Sequence, residues 1–527
     1  MTTKLSRRTM LGGAAGAAAT GVLAACGGEE LAATATRVAP TVASAATAAA
    51  PVAATVASAA TVVAPTVNSA ASTAVIAATA VAPTVNSAAA TVAAPAMMAA
   101  MPAAPRPDAY RGKTVTFFEG VQYYKAVQDT IRAEMTTFVK AGGGNIEVAN
   151  QTDNGAQNVQ KLQAAVDGGN AFDIGNGDGS IQQLLTLNLV ADVTDVVTEM
   201  EAKYGKLMPL VPRNLSRDGK YFGVPFYVKS DVWFLRRDWL DEKGIKVENL
   251  KTFDNMRDAA LEISDPGKRR YGWGQSPYPS GDGTTLIFQV IHNYGGALVS
   301  KEGTKVTFNS PETVAGVSWL SDLYQNPKYK NMLPPGWEGW NDSSNNETFL
   351  QGTLGITANA FTMYAKARDD KNPIFPSIAT APRPGGPAYP NGLRGGSPIY
   401  LYIPRGSKNV DVSKDIIRQM LTPTVWNKLA QQSGGLALPA YESQWANPFF
   451  KSDPNYLPLE AQVRDPLGYT QLHHPANQTA PVDAIGSQQI LLGMMGDILQ
   501  KGAKPADAVR DAHDRMVKVF EQFGVKQ

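Results

Sequence analysis

The chain has 527 residues, with 48 Lys and Arg, 46 Asp and Glu, and a single cysteine. Its formal net charge of +2 at pH 7 is close to neutral, which argues against nucleic acid or an anionic surface as the partner. With one thiol the protein cannot form an internal disulfide, so its core must hold without a covalent cross-link.

The first 25 residues have the layout of an export signal. Three cations, Lys4, Arg7 and Arg8, precede a weakly apolar run over 10–25 that is too short and too polar to be a stable membrane span. The stretch SRRTML (6–11) resembles the twin-arginine export signal, which is an address read by a receptor. We therefore predict that residues 1–25 are a signal peptide.

The single cysteine, Cys26, ends the stretch LAAC (23–26), which resembles the bacterial lipobox. That resemblance implies cleavage before Cys26 and a diacylglycerol on its sulfur, and two acyl chains are enough for stable anchoring. Loss of the signal leaves 48 − 3 = 45 basic against 46 acidic side chains. We predict a lipid anchor at Cys26 on the outer face of the cytoplasmic membrane; the alternative is an incidental cysteine.

Residues 26–108 read as a tether. No charged side chain occurs between Arg37 and Arg106, and APTVNSA occurs at both 64–70 and 82–88. The segment lacks large apolar residues, so its repeats cannot bury a core. Its prolines interrupt any helix that the alanines favour. A disordered tether of about 80 residues has an r.m.s. reach of roughly 50 Å, and its Ser and Thr permit O-glycosylation.

The part from about Tyr110 to the C-terminus has the composition of a globular protein. Its roughly 420 residues exceed one hydrophobic core, so two domains are expected. Strands are predicted at 115–120, 146–150 and from 172, with helices through 139 and at 158–169. This β-α-β-α-β order predicts an α/β fold with an open, mostly parallel sheet. Ligands of such sheets bind at the carboxyl ends of strands, here the loops that begin at Glu119 and Gly175.

Four segments in the same order resemble the family 1 extracellular solute-binding proteins, the maltose-binding-protein-like receptors of ABC importers. They are AAVDGGNAFDIGNGDGSIQQLLTLNLVADVTDVV (164–197), DGKYFGVPFYVKSDVWFLRRDWLDEKGI (218–245), FLQGTLGITAN (349–359), and IPRGSKN (403–409) with TPTVWNKLAQQSGGLALPA (422–440). The resemblance covers almost everything after residue 110.

The resemblance implies a two-lobed periplasmic-binding-protein type II fold, with a mostly parallel sheet flanked by helices in each lobe. We predict an N-terminal lobe of 109–227 plus 376–424 and a C-terminal lobe of 228–375 plus 425–527. The chain is expected to cross between lobes at GVPFYV (223–228) and again near 374–384. The resemblance also implies a monomer that closes on a sugar and docks on an ABC permease, without catalysis, metal or cofactor.

A solute cleft needs flat apolar faces and a few aimed polar groups. Polar candidates follow strands or the crossing, and aromatic candidates lie in loops rich in Gly, Pro and Ser. The predicted ligand-binding residues are Glu119, Tyr123, Asn176, Asp178, Asp231, Trp273, Tyr278, Trp337, Trp340 and Asn345. Helix capping or a solvated loop is the alternative for the polar ones, and lobe packing is the alternative for the aromatic ones. Trp233 and Trp239 are assigned to the core.

Two departures from the family pattern leave the solute open. Phe361-Thr362 and Ser397-Pro398 stand where many members carry a Trp. The alternatives are a polyamine or a phosphate ester, the latter served by Arg383 and Arg394, or a secreted carbohydrate-active enzyme. No Gly-x-Ser-x-Gly motif occurs, and GNGDG (175–179) lacks the spacing of a nucleotide loop. The adjacent pair His473-His474 is not expected to bind a metal.

Overall fold

The structure is a computed structural model that describes residues 108–120, 124–152, 155–278, 280–465, 468, 474–476 and 479–527. The predicted signal peptide, Cys26 and the tether up to residue 107 lie outside the described residues. Tyr123 and His473 also lie outside them.

The strands of the described residues fall into two larger sheets and one short hairpin. They are β1 (Thr114–Glu119), β2 (Asn145–Asn150), β3 (Ile174–Asp178), β4 (Ser216–Arg217), β5 (Lys220–Tyr221), β6 (Val224–Lys229), β7 (Asp231–Arg236), β8 (Tyr271–Trp273), β9 (Leu354–Ala360), β10 (Ile378–Ala381) and β11 (Ser397–Tyr402).

Helices cover the faces of these sheets. Within the described residues they are α1 (Lys125–Ala141), α2 (Gly155–Asp167), α3 (Gln182–Thr186), α4 (Thr194–Tyr204), α5 (Leu210–Leu215), α6 (Arg237–Glu242), α7 (Phe253–Ile263), α8 (Gly281–Asn293), α9 (Pro311–Gln325), α10 (Ser344–Leu350), α11 (Thr362–Asp369), α12 (Val410–Met420), α13 (Pro423–Gln432), α14 (Leu457–Val463), α15 (Ala480–Ser487), α16 (Ile490–Lys501) and α17 (Pro505–Gln522).

The first sheet has the strand order β2-β1-β3-β11-β6. β1 runs parallel to β2 and β3, while β11 is antiparallel to both β3 and β6. The spacing of Val127, Ile131 and Met135 predicts the buried face of α1, and all three side chains are buried. Pro225 is the second residue of β6, an edge strand of the sheet, where a missing backbone donor is tolerated.

The second sheet has the order β10-β7-β9-β8, in which β7 is antiparallel to its neighbours β10 and β9, and β8 is parallel to β9. Its core contains a cluster of aromatic rings, among them Trp233, Trp273 and Trp319. Since β6 belongs to the first sheet and β7 to the second, the chain crosses between the sheets at Ser230, and we call this crossing the first passage. The predicted two-lobed α/β architecture is confirmed, but each sheet is mixed rather than mostly parallel, because β11 and β7 run antiparallel to both of their neighbours.

A second passage between the sheets lies between β10 and β11, over 382–396. The two passages touch, because the Ser230 hydroxyl donates to the carbonyl of Gly395 at 2.7 Å. β10 pairs with β7, and α13 packs against α1. The pairing of β10 with β7 favours a lobe boundary within 382–396 rather than at the predicted residue 376. The packing of α13 on α1 favours a first lobe that extends beyond the predicted residue 424.

The glycine-rich stretch after Ile174 is a strand, although the sequence indicates a loop there. It pairs with β11, with Gly175 opposite Tyr402 and Gly177 opposite Tyr400. A Cβ on either glycine would lie within about 2.2 Å of the facing tyrosine ring. Glycine is therefore needed here to let both rings lie across β3.

No helix of the described residues is both long enough and apolar enough to cross a membrane.

Candidate functional site

A small cavity of about 110 Å³ lies beside the first passage between the sheets. Its walls come from the passage itself, from α8, from the end of β9 and from the second passage. The lining residues are Lys229, Ser230, Asp231, Trp233, Gln275, Asp282, Thr285, Leu286, Gln289, Ala358, Asn359, Ala360, Arg383, Gly396 and Ser397. Because both sheets contribute, this cavity lies at the base of a cleft between lobes.

An ion pair forms one side of the small cavity. Arg383 is buried and pairs with Asp231 through two of its nitrogens, with Nε 3.2 Å from Oδ2. The side-chain amide of Gln289 donates to the same Oδ2 at 2.7 Å. The side chain of Gln462, fully buried, donates to the main-chain carbonyl of Asp231 and to Ser230 Oγ. A connected polar network thus links the first passage to Arg383 of the second passage, to α8 and to α14.

A second carboxylate, that of Asp282 in the first turn of α8, also lines the small cavity. Asp282 Oδ2 accepts hydrogen bonds from Asn359 at 3.0 Å and from Asn345 at 3.1 Å. Burial and the nearby charge of Asp342 raise the pKa of Asp282 to about 7, and the Asn345 hydrogen bond opposes that rise. Asp282 is therefore partly protonated near neutral pH.

A larger cavity of about 460 Å³ adjoins the small one at Ser397, which lines both. Asp178, at the end of β3, joins them further, because it is ion-paired with Lys229 and accepts from the Ser397 hydroxyl. The two cavities therefore form one continuous surface along the carboxyl ends of β3 and β6.

Rings and amides line the larger cavity. The rings of Phe118, Tyr400 and Tyr402 are buried. Polar walls come from Gln151 and Asn176, and the Gln151 amide donates to the Asn176 carbonyl at 2.6 Å. Flat rings beside amide groups suit a ligand with both C–H faces and hydroxyls.

Helix α15 closes the far side of this cavity. Asp483, Gly486 and Ser487 of α15 line it, and α15 packs against α3. The hydroxyl of Ser180, in the loop after β3, donates to Asp483 Oδ2 at 3.0 Å. A carboxylate from the C-terminal part of the chain is thereby fixed over the loop that follows β3.

Three of the predicted residues line these cavities, and a fourth supports them. Asn176 and Asp178 line the larger cavity, and Asp231 lines the small one. Asn345 is buried behind the small cavity, where it donates to Asp282.

The structure places the other described candidates elsewhere. Glu119 is buried inside the first lobe, paired with Arg132 and accepting from Gln128. The indole of Trp273 is fully buried and donates to the hydroxyl of Tyr324 at 2.9 Å. Neither side chain lines the small or the larger cavity.

The remaining aromatic candidates pack on lobe surfaces. Tyr278 is half-buried against Gly496 of α16. The ring of Trp337 packs on that of Tyr324 with centroids 4.8 Å apart, and Trp340 packs against the buried hydrophobic cluster that contains Phe349. In the described part of the chain, these three residues line neither of the two cavities.

The sequence predicts that Trp233 lies in the core, and it does not predict Asp282 or Gln289 as ligand-binding residues. Trp233 is fully buried as expected, but it also forms part of the cavity wall. Asp282 is the second residue of α8, two positions after the N-cap Ser280, and an acidic side chain in the first turn of a helix is the one signal that points to it. Gln289 carries no such signal, since its position depends on how α8 packs.

No cluster of three or more metal-ligating side chains occurs among the described residues. The ring of His474 packs against those of Tyr389 and His292, and burial lowers the pKa of His474 to about 4.

Two lobes joined by passages that touch, with a polar and aromatic cleft at their junction, define the class of bilobal solute-binding proteins. The sequence profile of the bacterial extracellular solute-binding protein family matches residues 133–458. The chain belongs to this family of extracytoplasmic binding proteins, which confirms the predicted family resemblance.

The chain is similar to a curated relative and to solved structures at low identity. The arabinooligosaccharide-binding protein of Halalkalibacterium halodurans is 24% identical over 121 residues, which are 23% of this chain and 26% of that protein. The chain thus matches about a quarter of the length of that relative.

Two solved structures share the fold. An ABC transporter solute-binding protein of Thermotoga lettingae bound with alpha-D-tagatose superposes with a TM-score of 0.65 at 19% identity, covering 77% of this chain and all of that one. Another from Agrobacterium radiobacter, in complex with ribitol, gives a TM-score of 0.66 at 19% identity over 79% of this chain and all of that one.

Proposed function

We propose that this protein is the lipid-anchored receptor of an ABC importer and captures a neutral carbohydrate or polyol between its two lobes. The observation that carries the proposal is the continuous surface formed by the two cavities at the lobe junction. It combines buried rings with amide and carboxylate groups, as polyhydroxylated ligands require. The ligands named for the two structural neighbours and the curated relative, a ketohexose, a polyol and oligosaccharides, agree with this class.

The charges at the site support a neutral solute. Within the small cavity, Arg383 is neutralised by Asp231, and Lys229 pairs with Asp178. A phosphate ester would have to compete with these carboxylates for the two cations. The phosphate-ester alternative is therefore disfavoured.

A polyamine remains the second candidate, on one observation. The carboxylate of Asp282 lines the small cavity and accepts hydrogen bonds from the side-chain amides of Asn345 and Asn359, while the nearby Lys229 is ion-paired with Asp178. An ammonium group would supply a positive charge that pairs with Asp282 directly. It would also lower the pKa of Asp282, so its binding would weaken as the pH falls below 7.

The two-lobed fold supports the proposed delivery of solute to a permease. Binding of solute between the two lobes would shift the population from an open form toward a closed form, and the closed form docks on the permease. The predicted tether and acylated Cys26 keep the receptor at the outer face of the cytoplasmic membrane. We infer that the receptor acts as a monomer.

Calorimetry and X-ray scattering on the mature protein test the proposal. We expect a sugar or polyol from a panel containing D-tagatose, ribitol, D-mannitol and maltose to bind with micromolar or tighter affinity, about −8 kcal/mol, and to reduce the radius of gyration. Spermidine and glycerol phosphate diesters form the comparison arm. Tight binding of either, with no response to any sugar or polyol, would overturn the proposal, as would turnover of an oligosaccharide.

A further inference from the structure

The indole Nε1 of Trp233 and the side-chain Oε1 of Gln289 are buried at the base of the cleft, and neither has a hydrogen-bond partner among the described residues. The side chains are 0% and 1% exposed, and both residues line the small cavity. An unpaired buried donor or acceptor costs about 1–3 kcal/mol, so such a pair calls for an explanation.

The chemical character of both atoms is fixed. An indole nitrogen can only donate. The Gln289 nitrogen donates to Asp231 Oδ2 at 2.7 Å, and a carboxylate can only accept, so the other end of this amide must be the oxygen. Trp233 and Gln289 thus contribute to the lining of the small cavity one donor and one acceptor that no described side chain satisfies.

Only a group that both accepts and donates satisfies the two atoms together. A carboxylate or phosphate would accept from Trp233 but present an acceptor to Gln289. An ammonium would donate to Gln289 but present a donor to Trp233. A hydroxyl does both.

The size of the cavity limits what carries that hydroxyl. A volume of about 110 Å³ is a few times the 30 Å³ that a water molecule occupies in the liquid, so it takes the end of a solute while the remainder extends into the larger cavity. Ser397, which lines both, marks the route.

We propose that the small cavity is a hydroxyl-specific subsite, in which Trp233 donates to and Gln289 accepts from one terminal hydroxyl of the solute. This inference rests on the proposed function, since it names the group that the carbohydrate or polyol places at the base of the cleft. Trp233 and Gln289 are then specificity-determining residues. They reject a solute that ends in a carboxylate, a phosphate or an ammonium at this position.

The variant Trp233→Phe tests the subsite, because it keeps an aromatic ring and removes the donor. The matched control is Trp239→Phe, a buried Trp of the same lobe that does not line the small cavity. Calorimetry uses whichever of D-tagatose, ribitol, D-mannitol and maltose binds the wild-type protein best, together with analogues of it that each lack one hydroxyl. We expect about a tenfold loss of affinity for Trp233→Phe and less than twofold for Trp239→Phe.

The analogues supply the decisive measurement. One of them should bind the wild-type protein about tenfold more weakly than the parent, and that penalty should disappear in Trp233→Phe. If Trp233→Phe does not fold by circular dichroism, Gln289→Met replaces it, with the exposed Gln431→Met as its control.

The possible failures are distinguishable. If removal of the hydroxyl weakens binding equally in the wild-type protein and in Trp233→Phe, the subsite is overturned, because an ordered water would then satisfy both atoms. The proposed function would still stand. Equal losses in Trp233→Phe and Trp239→Phe would overturn it in the same way. If no sugar or polyol binds the wild-type protein, both the subsite and the proposed function fall.

Discussion

Arg383 lies opposite Asp231 because of the register between two strands of the second sheet. β10 and β7 are antiparallel with Ala381 facing Trp233, so the residues two further along, Arg383 and Asp231, face one another at the end of the ladder. The resulting ion pair has an arginine side chain that is only 2% exposed. It fixes the position at which the chain leaves the second sheet at both passages.

Replacement of Asp231 by Ala should strongly destabilise the protein. The variant leaves the Arg383 guanidinium buried without its carboxylate, and loss of one partner of a buried pair costs about 3–5 kcal/mol. Urea unfolding followed by circular dichroism measures the change. Asp497→Ala, which removes the partner of the exposed Lys501, is the control and should leave the transition unchanged.

The double variant Asp231→Ala/Arg383→Met separates the charge from the packing. Removing the buried cation as well should restore part of the lost stability, since two apolar side chains leave no charge to desolvate. If the single variant unfolds at the same urea concentration as the wild type, the pair does not hold the passages.

Replacement of Gly177 by Ala should displace Tyr400. A Cβ at this position would lie 2.2 Å from the tyrosine ring, so the ring or the strand must move. Overpacking of this kind costs about 1–3 kcal/mol. Because Tyr400 lines the larger cavity, affinity for the best-binding sugar or polyol should also fall. Urea unfolding and calorimetry measure the two effects.

Gly339→Ala is the matched control for that substitution. Nothing lies within 4 Å of a Cβ built on Gly339, and its φ is not in the left-handed region, so it should unfold and bind as the wild type does. Unchanged stability and affinity in Gly177→Ala would contradict the assigned role of the glycine.

The sequence predicted the parts of the fold that depend on local patterns. The helical spacing of Val127, Ile131 and Met135 and the apolar run at 223–228 are readable over a few residues, and both segments adopt the predicted elements. The strand at Gly175 and Gly177 was not readable, because it exists through pairing with β11 more than 200 residues later.

The site was less predictable than the fold, because most of its residues are brought together by contacts between segments that are distant in sequence. Asp178 follows the predicted third strand and Asp231 follows the predicted crossing, and that local signal led to them; in the structure they are the last residue of β3 and the first residue of β7. The burial of Trp273 and the placement of Gln289 depend on how α8 and α9 pack on the second sheet, which the composition of a loop does not reveal. An aromatic residue in a loop rich in Gly and Pro is consequently weak evidence for ligand contact.

The stability of the protein should depend on pH through Asp282. The pKa of this carboxyl is about 7 in the folded protein, against 3.8 for the ordinary group, so the folded state binds its proton more tightly than the unfolded chain does. The stabilisation that this bound proton gives to the folded state is fully present below pH 4 and is lost as the pH rises from 4 to 7.

Asp282→Asn should remove this dependence. An amide does not titrate, so the variant does not have this pH-dependent loss. As the pH rises from 4 to 7, the free energy of unfolding of the wild type should therefore fall relative to that of Asp282→Asn. Asp497→Asn, at an exposed position, is the control and should track the wild type across the series. Parallel profiles for Asp282→Asn and the wild type would show that Asp282 titrates normally.

Replacement of Cys26 by Ser should release the protein from the membrane. The variant retains the predicted export signal over 1–25 but has no sulfur to acylate, and without acyl chains the hydrophobic free energy of anchoring, about 0.8 kcal/mol per buried methylene, is lost. In a bacterium that processes lipoproteins, the wild type should sediment with membranes and incorporate an alkyne-labelled fatty acid, whereas Cys26→Ser should be at least tenfold depleted from the membrane fraction and unlabelled. Ser44→Ala, in the predicted tether, is the control and should behave as the wild type, because it leaves the thiol in place. A Cys26→Ser variant that still sediments and still incorporates the label would contradict the anchor while leaving the solute cleft untouched.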